Sequence, residues 1–369
     1  MEIMYKSIQF YGLHFNKDEI NLLCEEKIND SNVDLWEREI FVFLRDWFSE
    51  SDSISVTTSG STGVPQTIKL LKRHIIVSAK STLNFFKLKE GDNALLCLPT
   101  SYIAGKMMIV RAVVGKLNLI YTNPTSFANS NFDKVVDFAA MVPNQVFTLL
   151  NSLNGRLVLE NIKQLLIGGA SISNELEGRL LEFPGINAWH SYAMTETITH
   201  IALRKVGDNQ YLGDFYPLTG VVIALDSNDH LVIDYPGIGV NNCSTNDIAQ
   251  IYNDGSFSIL GRSDNIVISG GIKLNPELIE PKIRKYVNAE LFIGGIPDKK
   301  FGEKLVLFIE GPNLGYNIID LVEICKDDLN SYEMPKEINY LSEFLRTESG
   351  KIRRKANVDT YLDKKSPCS

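Results

Sequence analysis

The sequence predicts a two-part α/β protein: a large N-terminal domain with mainly parallel sheets and a β-rich subdomain, then a small α+β C-terminal domain. Three observations carry this expectation. At 369 residues the chain exceeds the size at which one hydrophobic core usually keeps growing. Short apolar runs alternate with helical stretches through the first half, the pattern of parallel strands and crossover helices. The texture then changes twice, after Thr199 and again at Gly261-Arg262-Ser263-Asp264.

Taken in order, residues 32–48 place Trp36, Ile40, Phe43, Leu44 and Trp47 at helical spacing behind the polar starters Ser31 and Asn32, which predicts an amphipathic helix. A β-like run, Ile54-Ser55-Val56, follows. Strands are expected at 94–98, 117–121 and 164–167, with helices around 72–84, 103–114 and 133–152. Beyond Thr199, dense Gly, Asn, Asp and Pro separate short alternating runs (221–225, 230–234, 249–251), so residues 200–260 read as the β-rich subdomain. After residue 263 come a strand at 266–268 and a helix opened by Asn275-Pro276-Glu277, where asparagine caps and proline takes the first helical position. Strands at 289–296 and 304–309 and a helix near 317–329 complete the small domain. The expected boundaries are 1–263, 264–360 and a disordered tail from 361 to 369.

The net charge of −8 and a pI near 5.3 argue against general affinity for nucleic acid or anionic membrane, whose phosphates select basic surfaces. Small-molecule partners are expected instead. Five scattered cysteines (Cys24, Cys97, Cys243, Cys325, Cys368) show no metal-like spacing and read as reduced thiols of a cytosolic protein. The N-terminus has no apolar signal core, and the most apolar stretch, 107–114, is interrupted by Arg111, so neither secretion nor membrane insertion is predicted.

Four phrases carry chemistry. Thr57-Thr58-Ser59-Gly60-Ser61-Thr62-Gly63 crowds hydroxyls and glycines after a strand, and such a loop turns backbone amides and hydroxyl donors toward phosphate oxygens. It is not a Walker loop, because Val64-Pro65 follows, and its composition alone is also compatible with a solvated loop. Ser191-Tyr192-Ala193-Met194-Thr195-Glu196-Thr197 offers a carboxylate suited to Mg²⁺ beside a hydroxyl suited to a phosphoryl oxygen. Leu260-Gly261-Arg262-Ser263-Asp264-Asn265 is followed by the pair Gly270-Gly271. Arg346-Thr347-Glu348-Ser349-Gly350-Lys351 presents a lysine able to stabilise charge gathered at a phosphorus centre. Upstream, Gly168-Gly169-Ala170 places small residues after a strand, where backbone can approach a ligand or simply turn.

In this order the phrases resemble the adenylate-forming superfamily of acyl-CoA synthetases, luciferases and peptide-synthetase adenylation domains, over residues 55–356. The resemblance implies an ATP-dependent, Mg²⁺-requiring acid–CoA ligase that forms acyl-AMP and then transfers the acyl group to CoA. It implies that Thr58, Ser59, Gly60, Ser61, Thr62 and Gly63 bind the ATP phosphates, with Gln66 where a lysine is usual. Gly168, Gly169, Ala170 and Tyr192 would line the adenine site, and Asp247 (in Thr245-Asn246-Asp247) with Arg262 would hold ribose. Thr195 would meet the α-phosphate, Glu196 the magnesium, and Lys351 the transition state. Asp264 would be the hinge of a mobile small domain, and Gly270 and Gly271 would line the pantetheine tunnel.

Within the superfamily, a short segment before the phosphate loop and Leu98-Pro99-Thr100-Ser101-Tyr102-Ile103-Ala104-Gly105-Lys106 resemble the o-succinylbenzoate-CoA ligases of menaquinone synthesis. That resemblance implies an acyl pocket near Tyr102 and a cation for the ring carboxylate of a dianionic acid. Lys106, Arg111 and His200 are the candidates, and Arg111 is also compatible with a structural ion pair. Three other readings stay open: a ligase for a different acid, an enzyme loading a carrier protein, and a non-catalytic nucleotide-binding relative.

Overall fold

A computed structural model of the chain describes residues 6–58, 66–125, 135–208, 214–313, 315–347 and 352–365. Buried apolar runs form the centre of a nine-stranded sheet. Its order is Tyr216–Pro217, His200–Lys205, Ala188–Ala193, Leu165–Ile167, Phe138–Met141, Asn93–Leu96, Asn118–Tyr121, Ser7–Phe10 and Leu13–Asn16. The interior pairings are parallel and those at both edges antiparallel. Strands buried on both faces need continuous apolar sequence, and Leu165–Ile167 and Phe138–Met141 are buried at every position.

The first helix signal is realised as Leu35–Phe48, which buries Ile40, Phe41, Phe43, Leu44, Trp47 and Phe48 and starts three residues later than the polar starters suggest. Helices Lys72–Phe85 and Ile103–Gly115 match expectation. The helix expected over 133–152 does not form as one element. Residues 138–141 are a core strand, Val142 adopts extended backbone, and a shorter helix, Pro143–Leu150, opens on its proline.

The β-rich region is a four-stranded sheet of Val222–Leu225, His230–Tyr235, Val240–Ile251 and Phe257–Arg262 in that order. It begins later than expected, because His200–Lys205 and Tyr216–Pro217 extend the large sheet instead. The described chain divides into two compact units. One takes in residues 1–223, 233–243 and 252–256; the other takes in 224–232, 244–251 and 257–369, so it includes segments upstream of residue 263.

Within the second unit, Val267–Ser269, Ile272–Leu274, Leu291–Asp298, Gly302–Glu310 and Glu337–Leu341 form a sheet packed through Ile279, Ile283, Leu321 and Cys325 on helices Pro276–Arg284 and Ile318–Cys325. Asn275 accepts from Glu277 N at 3.1 Å as the expected cap and also donates to Leu260 O at 3.0 Å. The same asparagine amide lies 2.5 Å from where a Cβ at Gly261 would sit, which together with φ +152° reserves that position for glycine. The last helix, Arg354–Lys365, buries Tyr361, so residues 361–365, expected in the tail, are ordered helix. No helix among the described residues is long and apolar enough to cross a membrane. Cys24, Cys97, Cys243 and Cys325 are free thiols, and Cys368 lies outside the described residues.

Candidate active site

In the first unit, strands Ser53–Thr58 and Gln66–Leu71 pair antiparallel with Thr58 opposite Gln66, so the two ends that bracket the hydroxyl-rich loop are held together by a regular ladder. Ser59, Gly60, Ser61, Thr62 and Gly63 lie outside the described residues, as does the side chain of Thr58.

Gly168 follows its strand because nothing larger fits: an added Cβ would lie 2.4 Å from Ser191 Oγ, which itself donates to Ile167 O at 3.1 Å. Gly169 turns the chain with φ +83°. Ala170 is tied to the neighbouring strand by a polar relay that the sequence motifs do not disclose. Glu177 accepts both terminal nitrogens of Arg204 at 2.7 Å, Arg204 Nε donates to His190 Nδ1 at 3.4 Å, and His190 Nε2 faces Ala170 O at 3.4 Å. With Nδ1 accepting, the single proton of a neutral ring sits on Nε2, toward that carbonyl. Hydrogen bonding from Arg204 holds the Glu177 carboxyl below its ordinary range. Tyr192 packs on Phe215, ring centroids 5.8 Å apart, and His190 packs on the same ring at 5.2 Å.

Strand Ala188–Ala193 then gives way to one 3₁₀ turn, Thr195–Thr197, which leaves Thr195 half-buried and Glu196 exposed. The chain leaves this turn through Ile198 at φ +68°, ψ −59°, with Thr199 N donating to Thr197 O at 2.7 Å. This is a positive-φ γ-turn at a β-branched residue, a conformation that costs about 1–3 kcal/mol and persists only where its surroundings enforce it. Thr197 Oγ1 lies 3.0 Å from Met194 O and 2.8 Å from Thr199 O, between the entry and exit carbonyls.

The acyl-pocket candidates separate clearly. Tyr102 precedes the helix Ile103–Gly115 in extended backbone and is half-buried. Lys106 is already engaged, donating to Thr100 O and, at 3.4 Å, to Ser101 O, with its ammonium 5.5 Å from the Phe43 ring centroid. Arg111 is different. Its side chain is buried, 2% exposed, with no carboxylate partner among the described residues; it reaches Met108 Sδ at 3.5 Å and the Phe138 ring at 5.9 Å, and its Nε is unpaired. No structural ion pair to it is found among the described residues, and burial pushes this guanidinium down to about 9. His200 is buried close enough to feel it: burial first, then the Arg111 charge, hold the imidazole well below its ordinary range.

His190, pushed down to about 4 by burial and then by Arg204, joins His200 as a ring kept neutral in the folded chain. An unfolded histidine takes up its proton near pH 6.5, so from there to about 4 the unfolded state binds more protons and stability falls as pH falls. The slope is roughly 1.4 kcal/mol per pH unit for each ring. Replacing His190 by glutamine is expected to flatten the dependence between pH 6.5 and 4.5 in urea titrations. An unchanged slope contradicts the assignment.

In the second unit, Asp247 and Arg262 stand opposite one another on paired strands. Arg262 Nη1 donates to Asp247 Oδ1 at 3.0 Å, while Nε and Nη2 grip Asp264 at 2.9 and 2.8 Å. Burial alone raises the Asp264 carboxyl, but this bidentate grip outweighs it and the net shift is downward. Gly270 and Gly271, with φ +58° and +82°, form the two-residue turn between Val267–Ser269 and Ile272–Leu274, where Ser269 pairs with Ile272. Positive φ at both positions suits the glycine pair to this hairpin irrespective of any ligand. Lys351 lies outside the described residues. Its flanks are fixed: Arg346 bridges Ile352, and buried Asn357 pairs with Leu345 through N–H···Oδ1 at 2.8 Å and Nδ2–H···O at 3.0 Å.

No cluster of three or more His, Cys, Asp or Glu side chains suited to a metal occurs among the described residues. Glu196 alone nevertheless fits Mg²⁺, which keeps several waters and is commonly held by one or two carboxylates together with substrate phosphates. Its charge also contributes, after burial, to raising the Cys243 thiol.

A family model described as AMP-binding enzyme matches residues 47–234, just over half of the chain and the span that carries the hydroxyl-rich loop, Gly168–Ala170 and Thr195–Glu196. The chain belongs to the AMP-binding enzyme family. Among curated relatives, the 2-succinylbenzoate-CoA ligase of Haemophilus influenzae is 26% identical, covering 94% of this chain and 79% of that protein. The 2-succinylbenzoate-CoA ligase of Escherichia coli is 27% identical, covering 81% and 67%. Among solved structures, an acyl-CoA synthetase (AMP-forming)/AMP-acid ligase II-like protein from Dyadobacter fermentans is 29% identical with a TM-score of 0.61, covering 92% of this chain and 97% of that one. The o-succinylbenzoate CoA synthetase MenE of Bacillus subtilis, bound to the acyl-adenylate OSB-AMP, has the same fold at 22% identity and a TM-score of 0.70, covering 82% and 68%.

Proposed function

We propose that the chain is an AMP-forming acid–CoA ligase whose acid is o-succinylbenzoate. In the first half-reaction the succinyl carboxylate attacks the α-phosphorus of ATP; a P–O bond forms, the bond to pyrophosphate breaks, and acyl-AMP results. In the second the CoA thiol, losing its proton, attacks the acyl carbonyl, and AMP leaves as the thioester forms. Bound Mg²⁺ would neutralise triphosphate charge.

The observation that carries the substrate reading is Arg111, a buried guanidinium with no counter-anion among the described residues, whose charge is felt by His200, itself four residues beyond Glu196 in the chain. A second carboxylate on the acid satisfies it, and a desolvated charge pair of this kind discriminates strongly against an acid that lacks the group. Lys106, spent on backbone carbonyls, is the weaker candidate, and neutral His200 and Tyr102 serve as polar walls of the acyl pocket. Glu196 holds Mg²⁺ and Thr195 bonds the α-phosphate. Thr58, Ser59, Gly60, Ser61, Thr62 and Gly63 cradle the β- and γ-phosphates. Gly168, Gly169, Ala170 and Tyr192 flank adenine, and Asp247 accepts from the ribose hydroxyls while Arg262 braces it. Lys351 stabilises the first transition state, Asp264 is the hinge, and the Gly270-Gly271 turn lies beside pantetheine.

ATP–pyrophosphate exchange across a panel of carboxylic acids tests this reading. Exchange confined to o-succinylbenzoate supports it. Exchange with a different acid keeps adenylation and removes the substrate, and binding of ATP without exchange for any acid removes the catalytic assignment.

A further inference from the structure

The helix Lys72–Phe85 buries two hydroxyls one turn apart, Ser78 at 3% exposure and Thr82 at 0%. Buried hydroxyls are retained where they have partners, and both partners here lie immediately after the strained turn. Ser78 Oγ and Thr199 Oγ1 are 2.7 Å apart, and Thr82 Oγ1 is 3.3 Å from His200 Nε2. Thr82 Oγ1 also reaches Ser78 O at 3.3 Å, so the two sites are joined along the helix. Thr197 Oγ1 spans the turn from inside, between Met194 O and Thr199 O. Ile198, buried at the apex, is thereby held at φ +68°. Without anchors on its far side, a β-branched residue relaxes toward negative φ, and rotation there swings the preceding 3₁₀ turn that carries Thr195 and Glu196.

We propose that Ser78 and Thr82 are positioning residues: through Thr199 and His200 they hold the Ile198 turn in its strained form and thereby fix where Glu196 presents its carboxylate. The inference rests on the proposed role of Glu196 toward Mg²⁺–ATP. Each hydroxyl acts through a side chain, Thr199 or His200, three and four residues beyond the carboxylate.

The test compares Ser78→Ala, Ser78→Thr and Thr82→Val with the parent chain by three readouts. Hydrogen–deuterium exchange of the peptide covering 194–200 is expected to accelerate about tenfold or more in Ser78→Ala while the rest of the large sheet keeps its protection. Calorimetric binding of ATP is expected to lose most of its Mg²⁺ dependence, and pyrophosphate-exchange turnover to fall about 10- to 100-fold, the scale of an ångström-sized misplacement. Ser78→Thr keeps the hydroxyl and is expected to restore all three. A uniform loss of protection with unchanged Mg²⁺–ATP affinity per folded molecule would mean ordinary packing and overturn the inference, as would an unperturbed 194–200 peptide. Should the parent chain show no exchange with any acid, the adenylation reading fails separately. Deuterium uptake and Mg²⁺-dependent ATP binding still decide the positioning claim, an unaltered Mg²⁺ dependence in Ser78→Ala counting against it.

Discussion

Replacing Arg111 with methionine is expected to make the protein more stable and the enzyme far worse. The guanidinium is buried against Met108 and Phe138 with no carboxylate in reach among the described residues, so the described fold desolvates this charge with only a thioether and a ring face to offset it. Methionine has similar length and suits those neighbours. Substituting well-packed apolar groups for buried charges is often neutral or stabilising by about 1–4 kcal/mol, which corresponds to a few degrees in Tm for a protein of this size. The same change removes the desolvated cation proposed to meet a second carboxylate. KM for o-succinylbenzoate should rise roughly 100-fold or more, the scale on which truncated buried charge pairs are lost. The analogue without the ring carboxylate should be used about equally by both forms. A lower Tm with unaltered substrate preference would make Arg111 a structural residue and reopen the choice of cation.

The second large effect is expected at Lys351. Lys351→Ala should lower acyl-AMP formation about 10²- to 10³-fold, the usual consequence of removing one preorganised group that stabilises charge in the transition state. Attack of CoA on preformed adenylate should be spared. The residues around it suit such a role, since the Arg346–Ile352 bridge and the Asn357–Leu345 pair tie down both ends of the segment. Arg354 strengthens this by gripping Glu280, which in turn accepts from Ile293 N at 2.7 Å. Stopped-flow release of pyrophosphate and of AMP separates the two half-reactions; equal loss in both contradicts the assignment.

The large sheet was legible because buried parallel strands must be written as apolar runs, and caps such as Asn275-Pro276 state their helix openly. Phe138-Ala139-Ala140-Met141 misled for the converse reason. Small apolar residues between helical signals carry no period that tells a buried strand from a helix. The tail misread has a similar cause: lysines and aspartate around Tyr361 look solvated, yet that ring packs edge-on against Phe308 at 5.3 Å.

Those that were missed belong to no motif. Arg204 and His190 meet because the strands Ala188–Ala193 and His200–Lys205 pair, Glu177 reaches them from the helix Asn174–Leu181, and no local spacing encodes those contacts. Ser78 and Thr82 did leave a trace, two hydroxyls at i and i+4 on a helix whose buried face also includes Ile75 and Ala79. Reading it requires knowing which face is buried. Lys106 and Arg111 show the limit most clearly, since the sequence offers two cations on one helix and only their side-chain surroundings tell them apart.

The most direct measurement of the central claim is a single turnover with Mg²⁺–ATP and o-succinylbenzoate, quenched and resolved by mass before and after CoA is added. Enzyme-bound o-succinylbenzoyl-AMP with stoichiometric pyrophosphate is expected first, then o-succinylbenzoyl-CoA and AMP once CoA arrives. Release of ADP and phosphate, or an adenylate that free CoA leaves intact, would contradict it.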